Sequence, residues 1–210
     1  MHIEKFIRIK IGNTIRSLFR NNIDRKKLKN KNFTIISQNC IGGTIYHDLG
    51  HKFMSPTINL FFDSKDFIKF VSNIKYYIGL DLEFIESDKT YPVAKLDDIT
   101  INFVHYENRI HAHKKWNERK QRINYENIFI IMTDRDGCNY ETLKSFDNLE
   151  YENKVIFTHK EWPDIKSNKY IPGYENLGMV SSLVKFTGYT GLREYMKNFD
   201  YISWINKEKN

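Results

Sequence analysis

The sequence has little cysteine, proline or glycine. Its 210 residues include two cysteines, Cys40 and Cys138, four prolines and ten glycines. Two cysteines far apart in the chain argue against a disulfide-stapled scaffold and favour a reducing compartment. The scarcity of proline and glycine argues against long disordered linkers. We therefore expect one globular unit in the cytoplasm.

Long apolar runs are missing as well. No window approaches the ~20 consecutive apolar residues of a transmembrane helix, and charges interrupt the N-terminus too often for a signal peptide. Aromatic side chains, in contrast, are abundant, with 15 Phe, 13 Tyr and 3 Trp. The sequence thus predicts a protein that is neither membrane-spanning nor secreted by a standard route, with a large packed interior.

Positive charge is concentrated at the N-terminus. Residues 1–31 carry a net charge of +8, and the rest of the chain carries −1. Apolar residues recur among these charges at helical spacing, which indicates a basic amphipathic helix and a connector. Such a helix either packs on the protein body with its lysines solvated, or contacts an anionic membrane surface, here the inner face of the cell membrane. The near-neutral remainder argues against a nucleic acid partner.

The remainder, residues 32–210, has the pattern of an α/β domain, either single or made of two closely packed subdomains. Apolar strand-like runs lie at 33–37, 57–62, 127–132 and 154–157, with helical patterns between them. The stretch 91–105 predicts an antiparallel hairpin around Asp97-Asp98, and 108–123 predicts a solvated helix. We expect a mainly parallel, Rossmann-like sheet covered by helices in three layers, with the hairpin as an insertion.

The first candidate site follows the first predicted strand, at Ser37-Gln38-Asn39-Cys40-Ile41-Gly42-Gly43. A thiol between a strand and a helix N-terminus is a candidate nucleophile, and glycine amides beside it suit an anion or an oxyanion. We expect Cys40 and His47 to act as nucleophile and base, with Asn39, Gly42 and Gly43 binding substrate. The alternatives are a buried structural cysteine with glycines that permit a tight turn, or anion binding without thiol chemistry.

The second candidate site follows the strongest strand, at Thr133-Asp134-Arg135-Asp136-Gly137. Two carboxylates at a strand end suit Mg²⁺ or Mn²⁺ bound to a nucleotide-sugar donor, because both cations prefer oxygen ligands. We expect Asp134 and Asp136 to be catalytic or metal-binding and Arg135 to contact an anionic substrate. The alternative is a turn in which Asp134 caps the next helix.

Three further side chains complete the prediction. His159 follows a predicted strand, so we expect it at the same sheet edge as a catalytic group. Arg119, on the basic helix before the Asp134 turn, and Trp162, an aromatic platform for sugar stacking, are predicted to bind substrate. The histidines at 105, 111 and 113 are too loosely arranged to argue for zinc.

Several segments together resemble a bacterial family of domains of unknown function, whose members are usually labelled exopolysaccharide biosynthesis proteins. They are Asn39-Cys40-Ile41-Gly42-Gly43, Tyr46-His47-Asp48-Leu49-Gly50, Ser55-Pro56-Thr57-Ile58-Asn59-Leu60, Trp116-Asn117-Glu118-Arg119 and Thr133-Asp134-Arg135-Asp136-Gly137. The resemblance spans residues 33–165 and implies an α/β fold and a polysaccharide setting, without catalytic residues to carry over.

The residues and the resemblance together predict a transferase of surface or exopolysaccharide biosynthesis. Its substrate would be a sugar or a lipid-linked glycan, and the transferred group acyl or glycosyl. The alternative is a non-catalytic module that binds a glycan or a partner enzyme of the polysaccharide machinery.

Overall fold

The computed structural model describes residues 2–208. Its helices are α1 (His2–Ile15), a π-helical turn (Arg16–Arg20), α2 (Asn21–Lys27), α3 (Ile41–Leu49), α4 (Ser64–Ser72), α5 (Ile74–Gly79), α6 (Arg109–Lys120), α7 (Tyr140–Asp147) and α8 (Tyr201–Ile205). Its strands are β1 (Thr34–Ser37), β2 (Glu83–Ile85), β3 (Val93–Leu96), β4 (Ile99–Asn102), β5 (Ile128–Thr133), β6 (Lys154–Thr158), β7 (Asn168–Tyr170), β8 (Phe186–Thr187) and β9 (Leu192–Arg193). Short 3₁₀ turns cover Glu175–Leu177 and Glu194–Met196.

The central sheet is parallel and has the strand order β1-β5-β6-β7. Successive side chains of a strand point to opposite faces, and this alternation divides the core in two. Ile36, Ile130 and Met132 join one apolar cluster with helices α4 to α7. Ile35 and Phe129 join the other with α3 and α8. The predicted α/β fold, a parallel sheet covered by helices, is confirmed.

The predicted antiparallel insertion is also present. Strands β3 and β4 pair around Asp97-Asp98, and β2 adds a third strand on the other side of β3. Asp97 has a φ of 53°, a left-handed conformation that Asp and Asn tolerate better than most residues. This small sheet packs its apolar face into the cluster that also holds α4 and α5.

Two details of the sequence interpretation are wrong. The run 57–62 is not a strand of the central sheet. It bends at Ile58 and Asn59, where Asn59 has a φ of 63°, and its bridge is between Phe61 and Asn102 of β4. Helix α6 is not wholly solvated, because Trp116 and Arg119 are buried. In both cases the reason is a long-range contact, which the local sequence pattern does not reveal.

The N-terminal helix packs on the protein body along one face. A Cβ on Gly12 would lie 2.6 Å from the Phe186 ring, so this face of α1 comes very close to β8. Arg16 and Asn21 stand at the two ends of the π-helical turn and are both buried. The Arg16 guanidinium donates to Asp48 of α3 at 2.6 Å. Not every basic residue of this segment therefore faces solvent.

Within residues 2–208, no helix is both long enough and apolar enough to cross a membrane.

Candidate active site at the carboxyl edge of the sheet

A cleft of about 470 Å³ opens where β1 and β5 end. Ligands of α/β proteins bind at this edge, where the loops after parallel strands converge. The two loops predicted from the sequence therefore meet. The walls are formed by Asn39, Cys40, Ile41, Phe61, Val104, His105, Thr133, Arg135, Asp136 and the segment Ser181, Ser182, Leu183, Val184.

Buried side chains fix the two loops to each other. The Gln38 Oε1 accepts from the Thr133 backbone N–H at 2.9 Å and from its hydroxyl at 3.0 Å. Asn39 Nδ2 donates to Thr133 Oγ1 at 3.1 Å. Gln38 Nε2 reaches Ser64 Oγ at 3.0 Å, and that hydroxyl donates to the Arg135 carbonyl at 2.6 Å. These hydrogen bonds connect the two loops at the floor of the cleft.

The glycines after Cys40 serve helix packing. The Gly42 amide donates to Ser37 Oγ and the Ile41 amide to Asn39 Oδ1, both at 3.3 Å, so these N–H groups are already satisfied. A Cβ on Gly42 would lie 2.8 Å from Ser37 Cβ, and one on Gly43 would lie 3.2 Å from Ile58 Cγ2. The structure therefore favours a structural role for Gly42 and Gly43 over an open anion site, and that role is the close packing of α3 on β1 and Ile58.

Substituting Gly42 tests this interpretation. We expect Gly42→Ala to lower the free energy of unfolding by about 1 to 3 kcal/mol, because the methyl group would meet the buried β1 side chains. Gly79→Ala is the matched control, since a Cβ there has no neighbour within 4 Å, and its stability should be unchanged or slightly higher. Denaturant unfolding of the two variants measures the difference. Equal stabilities would refute the packing role.

Cys40 precedes α3 and is half-buried in the cleft wall. Burial raises the pKa of its thiol above the usual value, and the charge of the nearby Arg135 opposes the rise without cancelling it. A thiol with a raised pKa is protonated at neutral pH. It needs a neighbouring base before it can attack a substrate.

Arg135 and Asp136 present opposite charges to the same space. The Arg135 Nη2 lies 3.9 Å from Asp136 Oδ1, a loose contact that leaves the guanidinium one-third exposed. Burial raises the pKa of Asp136, with Asp63 adding to the effect and Arg135 opposing it. Asp136 also has a φ of 55°. The two side chains therefore offer a hydrogen-bond donor and an acceptor to the same cleft.

The buried Asp134 side chain connects its own loop to residues 159 and 180 by hydrogen bonds. Its Oδ1 accepts from the Val180 N–H at 2.8 Å. Its Oδ2 accepts from the His159 backbone N–H at 2.7 Å and lies 2.6 Å from His159 Nδ1. The carboxylate is buried. Asp134 therefore fixes the end of β6 and the backbone at Val180, directly before the cleft wall 181–184. It also orients the His159 imidazole.

The carboxylates do not fit the predicted divalent-metal site. Both oxygens of Asp134 are committed to N–H donors, which leaves the half-buried Asp136 as the carboxylate of the pair that lines the cleft. Across residues 2–208, no group of three or more His, Cys, Asp or Glu side chains is arranged to hold a metal ion. Hard cations such as Mg²⁺ require several oxygen ligands.

Seven predicted residues do not line the cleft: Asp134, His159, Gly42 and Gly43, described above, and also His47, Arg119 and Trp162. His47 is two helical turns after Cys40, about 10 Å along α3, and its exposed ring contacts Asp48. Arg119 is buried and donates to the Tyr106 hydroxyl at 2.6 Å. Trp162 stacks against Lys160 and lines a separate shallow depression with Tyr170. The structure brings Cys40 together with Asn39, Arg135 and Asp136, and not with His47.

The cleft also contains groups that the sequence did not single out. His105, exposed after β4, lines the same cleft as Cys40, and so do Ser181 and Ser182. His105 was visible only as one of three loosely spaced histidines. The two serines lie in a loop with no motif, which is held by the Asp134–Val180 hydrogen bond on one side and by the bond from Arg193 to the Val184 carbonyl on the other.

Comparisons with known proteins support the family resemblance in its broader form. A family model described as domain of unknown function (DUF1919) matches residues 11–206, beyond the 33–165 expected from the motifs. A protein of Haemophilus influenzae, described as an uncharacterized protein, is 43% identical over 188 residues, which is 90% of this chain and 91% of that protein. The family match therefore includes the cleft, Asp134 with its partners, and residues 11–27 of the N-terminal helical segment.

Proposed function

The chain belongs to the DUF1919 family, and we propose its function from the residues that line the cleft. It is a transferase of surface or exopolysaccharide biosynthesis that acts on a sugar or a lipid-linked glycan in the cytoplasm. One observation carries the proposal: a thiol, an imidazole and a paired guanidinium and carboxylate line a single cleft at the carboxyl edge of a parallel sheet. A cleft of about 470 Å³ suits a small donor and one or two sugar units.

Acyl transfer fits these groups better than metal-dependent glycosyl transfer. The carboxylates are poorly arranged for a cation, as described above, whereas Cys40 is accessible in the cleft. In this mechanism His105 accepts the thiol proton while Sγ attacks the carbonyl carbon of an acyl thioester or ester. The bond from that carbon to the donor heteroatom breaks, and the imidazolium returns the proton to the leaving group.

The second half of the reaction releases the product. A sugar hydroxyl gives its proton to His105 and attacks the thioester carbon, which restores the Cys40 thiol after the imidazolium protonates the sulfur. Arg135 would hold an anionic group of the donor or acceptor, and Asp136 would accept a hydrogen bond from a sugar hydroxyl.

Intact-mass spectrometry after incubation with short-chain acyl thioesters tests the proposal. We expect one acyl adduct on the native chain and on Cys138→Ala, and none on Cys40→Ala. Cys138 is a suitable control because burial, together with Asp134, raises the pKa of its thiol to about 12. Adding a sugar acceptor should discharge the adduct. An adduct that persists in Cys40→Ala would refute the nucleophile.

A non-catalytic glycan-binding or partner-binding module is the second candidate. The raised pKa of Cys40 favours it, because cysteines with a raised pKa are usually unreactive. Saturable oligosaccharide binding by calorimetry, with no acyl adduct from any thioester, would support this candidate over the transferase.

A further inference from the structure

The helix over residues 2–27 exposes a set of large apolar side chains. Phe6, Leu18 and Phe19 are 66%, 60% and 63% exposed. We call the whole set the N-terminal apolar surface, which consists of Phe6, Ile7, Ile9, Ile11, Leu18, Phe19 and Ile23. Seven large apolar side chains exposed along one helical segment indicate an interaction surface.

This surface is distinct from the side of the helix that packs on the body. That side uses Gly12 against Phe186 and the buried Arg16 with Asp48. Gly191 adds a second close contact, because a Cβ there would lie 3.1 Å from the Arg16 backbone nitrogen. The helix is thus already fixed in place, and the apolar residues remain available without refolding.

The charge of the segment identifies its partner. Residues 1–31 carry +8 against −1 for the rest of the chain, and Lys10, Arg20, Lys26 and Lys27 are exposed beside the apolar residues. A second copy of the chain would bring like charges together, which opposes association. Anionic lipid headgroups complement the charge, and the acyl boundary beneath them accepts the apolar side chains.

We propose that the N-terminal apolar surface and the lysines and arginine around it dock the protein on an anionic lipid bilayer. The helix would lie in the plane of the interface, with its apolar side chains among the headgroups and the upper acyl chains. This inference does not depend on the transferase proposal, since it uses no residue of the cleft.

Co-sedimentation of the full chain with vesicles tests the inference. We expect binding to vesicles of phosphatidylcholine mixed with phosphatidylglycerol, weaker binding at high salt, and little binding to phosphatidylcholine alone. The triple variant Phe6→Ser, Leu18→Ser, Phe19→Ser should bind at least about tenfold more weakly. The quadruple variant with Gln at Lys10, Arg20, Lys26 and Lys27 should lose about a hundredfold or more.

Ile110→Ser is the matched control. Ile110 on α6 is 81% exposed and lies outside the N-terminal segment, so this variant should bind like the native chain. Thermal unfolding should confirm that all variants fold, since every substituted side chain is exposed.

Other outcomes would overturn the inference and identify what occupies the surface. Equal binding to both kinds of vesicle would refute the charge requirement. A chain that binds no vesicles, and whose dimer in light scattering is lost in the triple variant, would assign the surface to a second copy. Loss of binding in the quadruple variant alone, with competition by a DNA oligonucleotide, would indicate a polyanion site.

Discussion

Replacing Asp48 with alanine is expected to lower the free energy of unfolding by about 3 to 5 kcal/mol, the range for breaking a buried ion pair. Asp48 is buried and bonded to two arginines, Arg16 at 2.6 Å and Arg193 at 2.8 Å. Arg16 also contacts Asp24 and the Tyr201 hydroxyl. Without Asp48, two guanidinium groups would remain buried between the N-terminal helix, α3 and β9 with much of their charge uncompensated.

The Asp48 carboxylate also makes the free energy of unfolding depend on pH. Burial alone would raise the pKa of Asp48, but hydrogen bonds and charge from Arg193 and Arg16 outweigh it and hold the pKa below the ordinary 3.8. A group whose pKa is lower in the folded chain stabilises the fold at pH values above its unfolded pKa. This contribution is lost as the pH falls below 3.8 through the folded pKa.

Denaturant unfolding at neutral pH and at pH 3 measures both effects. The native chain should lose more stability on acidification than Asp48→Ala, because the variant has no such carboxylate to protonate. Glu86→Ala is the matched control, since Glu86 forms an exposed ion pair with Arg109, and exposed pairs contribute little. If Asp48→Ala were as stable as Glu86→Ala, the network would not hold the N-terminal helix to the body.

Much of the fold could be predicted because its central strands are continuous apolar runs. Strands β1, β5 and β6 are buried on both faces, and such strands read directly as apolar segments. The strand predicted at 57–62 is wrong because burial alone produced its apolar pattern. Ile58, Leu60 and Phe62 are buried, and apolar alternation reports burial without revealing which backbone the segment pairs with.

The site was predictable as far as sheet topology dictates it. Parallel strands end at one edge, so the loops carrying Cys40 and Asp134 were expected at the same edge, but only the pairing of β1 with β5 makes them neighbours. His105 and Ser181 come from segments with no motif, and their positions depend on long-range contacts. The burial of Arg16 was equally hidden, because its partner Asp48 lies 32 residues further along the chain.

Replacing Asp134 with alanine should cost about 3 kcal/mol of stability, because it leaves the buried Val180 N–H unsatisfied and removes two charge-assisted hydrogen bonds from His159. His159→Ala should cost only about 1 kcal/mol, since the backbone bonds from residues 159 and 180 to Asp134 remain. Denaturant unfolding of the two variants gives this difference. Equal losses would mean that the imidazole, and not the backbone donors, is the main partner of Asp134.

The alkylation rate of Cys40 distinguishes a structural role of the Asp134–His159 contact from a role in the reaction. Loss of the Asp134–Val180 bond loosens one end of the wall that begins at Ser181, while Arg193 still donates to the Val184 carbonyl at 2.6 Å. Cys40 should therefore be alkylated by iodoacetamide faster in Asp134→Ala than in the native chain. In His159→Ala the wall stays bonded, and the alkylation rate should stay near the native value. If His159→Ala abolished acyl transfer while keeping its stability and slow alkylation, the imidazole would act on the substrate. In that case His159, oriented by Asp134, would replace His105 as the base of the proposed reaction, although His159 does not line the cleft.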